Sequence, residues 1–163
     1  MKLPAETQER LAFLVRVVSK EITHLEYAAN QAFTPPLTLE AVEDLDSHPA
    51  LALKLEAFTS RFCRLQDTLG DKLLPALLKA LGEPARALMI NLNKAEKYGW
   101  LASVDQWISL RQLRNKMINE YIEDANILHA SVLTAHEHLP VLEHFATQLM
   151  TQVEHLQKGN ADA

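Results

Sequence analysis

The sequence holds a single cysteine, Cys63, in 163 residues, so no internal disulfide can staple the fold. A lone thiol suits a reducing compartment, and a cytoplasmic chain is expected. Glycine is also scarce, at four residues, and nothing resembles a glycine-rich loop cradling a phosphate. Strand-like alternation of apolar and polar residues is missing, which leaves helix as the expected regular structure. No run of about 18 apolar residues could cross a bilayer, and no charged-then-apolar leader opens the chain. No membrane contact is therefore expected. Excess positive charge is absent too: the net charge is −5, so any contact with a polyanion must be confined to a local patch. Seven histidines are present, yet the one close pair, His136 and His138, is two residues apart and diverges on a helix, unlike the one-turn spacing of helical zinc sites. Neither a metal nor another cofactor is expected, and Cys63 reads as a small buried hydrophobe.

What is present is enough apolar material, 48% of residues, for one domain with a full core. The expected fold is all-α, an up-and-down helical bundle of about four to five main helices. Residues 1–158 form the domain and 159–163 a tail expected to fray. Leu11, Leu14, Val15, Val18, Ile22, Leu25, Ala29 and Phe33 recur at helical spacing and predict one long helix over 5–33, opened by Pro4 and ended by Thr34-Pro35-Pro36. A short helix over 38–46 follows. Ser47 is the expected cap of the next helix, which should run down to Gly70. Further helices are expected over 72–81 up to Gly82, from Pro84 to Tyr98 with Gly99 as a left-handed cap, over 104–123, and over 127–157 with a bend or split at Pro140.

Within the second long helix, Arg61, Arg64 and Asp67 stand three residues apart along one side. Two readings fit them: a solvated stripe of ion pairs, or an anion-binding set facing arginines elsewhere in the fold.

The stretch 103–121, SVDQWISLRQLRNKMINEY, organises the rest. Ser103 and Gln106 have the spacing of a capping box. At about 100° per residue, Val104, Trp107, Leu110, Leu113, Met117, Ile118, Tyr121 and Ile122 share an apolar arc. Arg111, Arg114 and Asn115 fall inside that arc, with Asn119 at its edge. Burying a guanidinium costs several kcal/mol, on the order of the desolvation penalty of one ion, unless it is paired or faces a wet cleft. The arc must therefore hold a polar network, a subunit contact or a site.

The segment RNKMINEY, 114–121, resembles the signature of the HEPN domains, the higher-eukaryote and prokaryote nucleotide-binding family. That signature is an Arg, a polar residue, a spacer, and then His-x-Tyr. Arg114 and position 119 match its spacing, but Asn119 stands where the pattern has His. The order of helices is also similar over nearly the whole chain. The resemblance implies a homodimer in which two motif copies meet in a basic cleft, a metal-independent endoribonuclease activity, and a cognate nucleotidyltransferase or antitoxin as partner. In some such pairs the partner adenylylates the motif tyrosine, here Tyr121.

Arg114 could offset the charge of a pentavalent phosphorane. Asn119 cannot move a proton near neutral pH, so a weak or inactive nuclease is expected. In the resulting cleft Arg111, Asn115, Arg61 and Arg64 are the candidate residues for RNA or nucleotide. His129, early in the next helix, is the candidate to replace the missing imidazole. The alternatives are a non-catalytic nucleotide-binding scaffold for such a transferase, or a helical dimer whose Arg/Asn network is structural.

Overall fold

The computed structural model describes residues 2–84, 86–119 and 123–162. Among them every regular element is helical, and the fold is of the all-α helical-bundle class. In chain order the elements are α1 (Ala5–Phe33), α2 (Leu39–Glu43), α3 (Pro49–Asp67), α4 (Leu74–Ala80), α5 (Leu88–Lys97), α6 (Val104–Asn119), α7 (Ala125–Glu137) and α8 (Leu139–Ala161). No helix among the described residues is long and apolar enough to cross a membrane. The chain forms two compact units. One comprises Met1–Lys20, Gln66–Val104 and Val141–Ala163, the other Glu21–Leu65 and Asp105–Pro140.

In the first unit the opening turns of α1 bury Leu11, Leu14 and Val18, the 3,4-spaced stripe of an amphipathic helix. Helix α3 does not stop at Gly70. It passes into a π-helical segment, Thr68–Leu73, and on into α4, with the Leu74 amide donating to the Leu69 carbonyl five residues back. Pro75 explains the wider turn: its ring has no N–H to give and crowds the carbonyl four residues before it. The π segment makes room without ending the rod. Gly70 is thus buried inside a helix.

Helix α4 closes where expected. Gly82, at φ +84, follows the Leu81 cap. Its amide bonds the Lys79 carbonyl at 3.0 Å, and the Glu83 amide bonds Leu78 at 2.9 Å, the paired bonds of a Schellman motif. Helix α5 begins at Leu88, four residues later than Pro84. The cause is Asn91, 1% exposed, whose carboxamide accepts from the Arg86 amide and donates to the Arg86 carbonyl, both at 2.9 Å. These two bonds hold the segment before Leu88 out of the helix.

Gly99, at φ +79, ends α5 with the same paired bonds, to Ala95 and Glu96. The Glu96 carboxylate then accepts from the amide of Val104, the first residue of α6, at 2.6 Å. Across the turn before α5, the Tyr98 hydroxyl donates to Glu83, and this bond raises the phenol above its ordinary pKa. Helix α8 buries Leu142, Phe145, Ala146, Leu149 and Val153. It continues past Gly159, where fraying is expected, because buried Asn160 accepts from the Leu3 amide at 2.6 Å.

In the second unit α1 ends at Phe33, before Thr34-Pro35-Pro36. The Thr38 side chain caps α2 by accepting from the Ala41 amide. A 3₁₀ turn, Leu45–Ser47, takes up the remainder of the expected short helix. Ser47 belongs to that turn, and Ala52 donates to the His48 carbonyl, so His48 stands at the entrance of α3 in place of Ser47.

Phe33, Phe58 and Phe62 form an aromatic cluster with His136 of α7. The imidazole stacks on Phe33 at 4.0 Å, and Phe33 meets Phe58 edge-on at 5.0 Å. Burying each phenylalanine contributes about 1.5–3 kcal/mol. Helix α2 packs on α7, where His129 Nε2 lies 3.1 Å from the Leu37 carbonyl. Asp124 caps α7 by accepting from the Asn126 and Ile127 amides. The expected last helix is divided at His138, leaving Pro140 in the first turn of α8.

Candidate functional site

Helix α6 is anchored by Trp107, fully buried, together with Leu110 and Met117. These residues lie at positions i, i+3 and i+10, on one side of the helix. Losing the indole alone is expected to cost about 3–5 kcal/mol. With that side fixed, the flank carrying Ile108, Arg111, Gln112 and Asn115, spaced i, i+3, i+4 and i+7, must face outward.

These four residues and Arg114 line an open cleft of about 380 Å³. Both arginines are half-buried and Asn115 is exposed. The structure thus brings together three residues singled out from the sequence, Arg111, Arg114 and Asn115. Two guanidinium forks and two carboxamides converge there, on a wall that includes one aliphatic side chain. Guanidinium groups present paired donors matched to phosphate or carboxylate oxygens, and carboxamides offer both donor and acceptor edges. The arrangement can hold an anion together with a flat polar group.

The apolar arc is narrower than its periodicity implies. Ile118, seven residues after Arg111, is 57% exposed, because it shares the outward face with the arginines. Asn119 is exposed as the last residue of α6 and is not among the described residues lining the cleft. Tyr121, the candidate for modification, lies outside the described residues, as does its neighbour Ile122. Arg61 donates from Nη1 to the His24 carbonyl at 2.9 Å and so ties α3 to the second half of α1. Arg64 is exposed on α3. Neither lines the cleft, so the anion-binding set read into 61–67 does not join Arg111 and Arg114.

His129 does not line the cleft either. A carbonyl only accepts, so its Nε2 donates to Leu37 and the ring is held against the segment before α2. No group of three or more His, Cys, Asp or Glu among the described residues could hold a metal ion.

A second cleft, of about 290 Å³, opens on the other side of α6 toward α7. Gln106, Ser109, Gln112 and Lys116 of α6 line it with Thr134 of α7 and His138. His138 Nδ1 lies 2.8 Å from the Thr134 carbonyl, which places the proton on Nδ1 and leaves the lone pair of the neutral ring on Nε2. From the sequence, His138 is weighed only as half of a metal-ligand pair with His136. Its one local signal is its place two residues before Pro140, at a helix boundary; the cleft itself exists only once α6 and α7 pack.

No protein-family model matches the chain, and no curated protein or solved structure matches it.

Proposed function

We propose that this chain is a HEPN-type component of a bacterial toxin–antitoxin module, acting in the cytoplasm as a homodimer whose basic cleft binds RNA or nucleotide, with a degenerate endoribonuclease centre. One observation carries the reading: Arg111, Arg114 and Asn115 of α6 line a single open cleft. Residues 108–119 hold three basic residues and no acidic one. This local excess of positive charge on a chain of net charge −5 supports the binding of an anion there. The resemblance of 114–121 to the HEPN signature adds the expectation of an RNA or nucleotide ligand and of a nucleotidyltransferase or antitoxin partner.

Degeneracy follows from the chemistry. Attack of a ribose 2′-hydroxyl on the neighbouring phosphorus needs a group that removes that proton and one that protonates the departing 5′-oxygen. The described residues lining the Arg111–Arg114 cleft offer guanidinium, carboxamide and aliphatic groups, which stabilise charge but do not shuttle protons near neutral pH. Asn119 has the same limit. The nearby imidazole of His138 lines the other cleft, beyond Gln112.

The test is to incubate purified protein with single-stranded RNA and to titrate it with adenosine monophosphate. Binding without appreciable cleavage, lost in Arg114→Ala, supports the proposal, and cleavage gained in Asn119→His supports it further. Strong cleavage by the unmodified chain contradicts the degenerate centre. Absence of binding contradicts the cleft. Co-expression with neighbouring gene products, followed by intact-mass measurement, tests the partner and adenylylation of Tyr121.

A further inference from the structure

The two clefts of the second unit are not independent, because Gln112 lines both. A ligand that fills one can pass over this exposed side chain into the other. On one flank Arg111 and Arg114 supply cations; on the other stand Lys116, exposed and in no ion pair among the described residues, and His138. No acidic residue lines either cleft among the described residues. Adjacent sites of one charge sign on the two sides of a polar ridge match a chain of regularly spaced phosphates better than a lone anion.

Resting on the reading above, we propose that the ligand is a single strand of RNA lying across α6. One phosphate sits at Arg111 and Arg114, and a neighbouring nucleotide sits against Lys116 and His138. Lys116 acts as a point charge toward a phosphate of the strand. His138 has a more selective part. Its Nδ1–H is committed to the Thr134 carbonyl, so the neutral ring can only accept at Nε2. A ribose 2′-hydroxyl donates there, and deoxyribose has no equivalent group. His138 therefore distinguishes RNA from DNA, whereas the arginine cleft does not.

Three probes separate this from the parent reading: adenosine monophosphate, an RNA of about six nucleotides, and a DNA of the same sequence, within the site size of single-strand binders. The intact chain is expected to bind RNA more tightly than DNA, and both more tightly than the mononucleotide. Lys116→Ala should weaken both strands by about fivefold, the loss of one phosphate contact, and leave mononucleotide affinity unchanged. His138→Ala should weaken RNA to the level of DNA while sparing DNA and the mononucleotide. The unchanged mononucleotide affinity also reports that each variant is folded. Equal affinity for mononucleotide and strand, or no effect of either substitution, overturns the inference and leaves the arginine cleft standing. Failure of all three probes to bind overturns both.

Discussion

Asn91 gives the sharpest test of how the first unit is built. Its side chain is 1% exposed and makes two bonds of 2.9 Å to the amide and carbonyl of Arg86, so Asn91→Ala removes both at once. At about 1 kcal/mol for each bond, the expected loss is about 2 kcal/mol. For a chain of this size that corresponds to a fall in Tm of roughly 4–8 °C.

Asn91→Asp sharpens the argument, because it keeps the shape and the acceptor but turns Nδ2 into an oxygen facing the Arg86 carbonyl. An ionised carboxylate is buried there against a lone pair, and the expected cost rises to about 3 kcal/mol or more. The protonated carboxyl can donate again. Its folded pKa is therefore raised above the unfolded value, and the stability of this variant relative to the parent is recovered as pH falls through that folded pKa. Thermal unfolding of parent, Asn91→Ala and Asn91→Asp at neutral and mildly acid pH measures all of this. Hydrogen exchange across residues 86–91 locates the effect. If Asn91→Asp is as stable as the parent at neutral pH, or its deficit does not shrink on acidification, the two-bond clasp is not what sets the start of α5.

Three further outcomes are expected. The Tyr98 phenol is raised by its bond to Glu83, by desolvation and by the Glu83 charge. Its contribution to stability is thus present below the ordinary tyrosine pKa and lost as pH rises through the higher folded value, so Tyr98→Phe should remove part of the alkaline loss of Tm. Arg61→Ala should cost about 1 kcal/mol through the His24 carbonyl bond without changing mononucleotide affinity; a weakened affinity would return Arg61 to the site. Gly82→Ala meets no atom within 4 Å but must hold φ +84, so its cost is backbone strain alone, about 1 kcal/mol, read as a lower Tm with unchanged hydrogen exchange in α5.

The parts of the fold visible in the sequence are those fixed by neighbours along the chain. The span of α1 is legible because its apolar spacing runs unbroken between Pro4 and Thr34-Pro35-Pro36. Gly82 and Gly99 are legible because a left-handed cap is a local demand. Gly70 misleads, since a glycine marks a stop only where a positive φ is needed. Gly70 has no positive φ and lies within the π-helical segment that leads into α4. Pro84 misleads for a similar reason: it permits a helix start, but the Asn91 clasp decides where α5 begins.

The site divides along the same line. Arg111, Arg114 and Asn115 sit on one helix, so their meeting follows from periodicity. Whether Arg61 and Arg64 join them depends on how α3 is seated, and the Arg61 guanidinium goes to a backbone carbonyl of α1 instead. The cleft at His138 depends on α6 and α7 packing together, which no local pattern reports.

The central claim is that α6 presents a phosphate-binding cleft. Calorimetric titration of adenosine monophosphate into the parent chain and the Arg111→Ala/Arg114→Ala double variant tests it most directly. Loss of two charge-assisted contacts, each worth about 1.5–3 kcal/mol, predicts that measurable binding disappears in the variant while its Tm stays close to that of the parent. Equal affinity in the two proteins, or no binding to the parent at low salt, contradicts the claim.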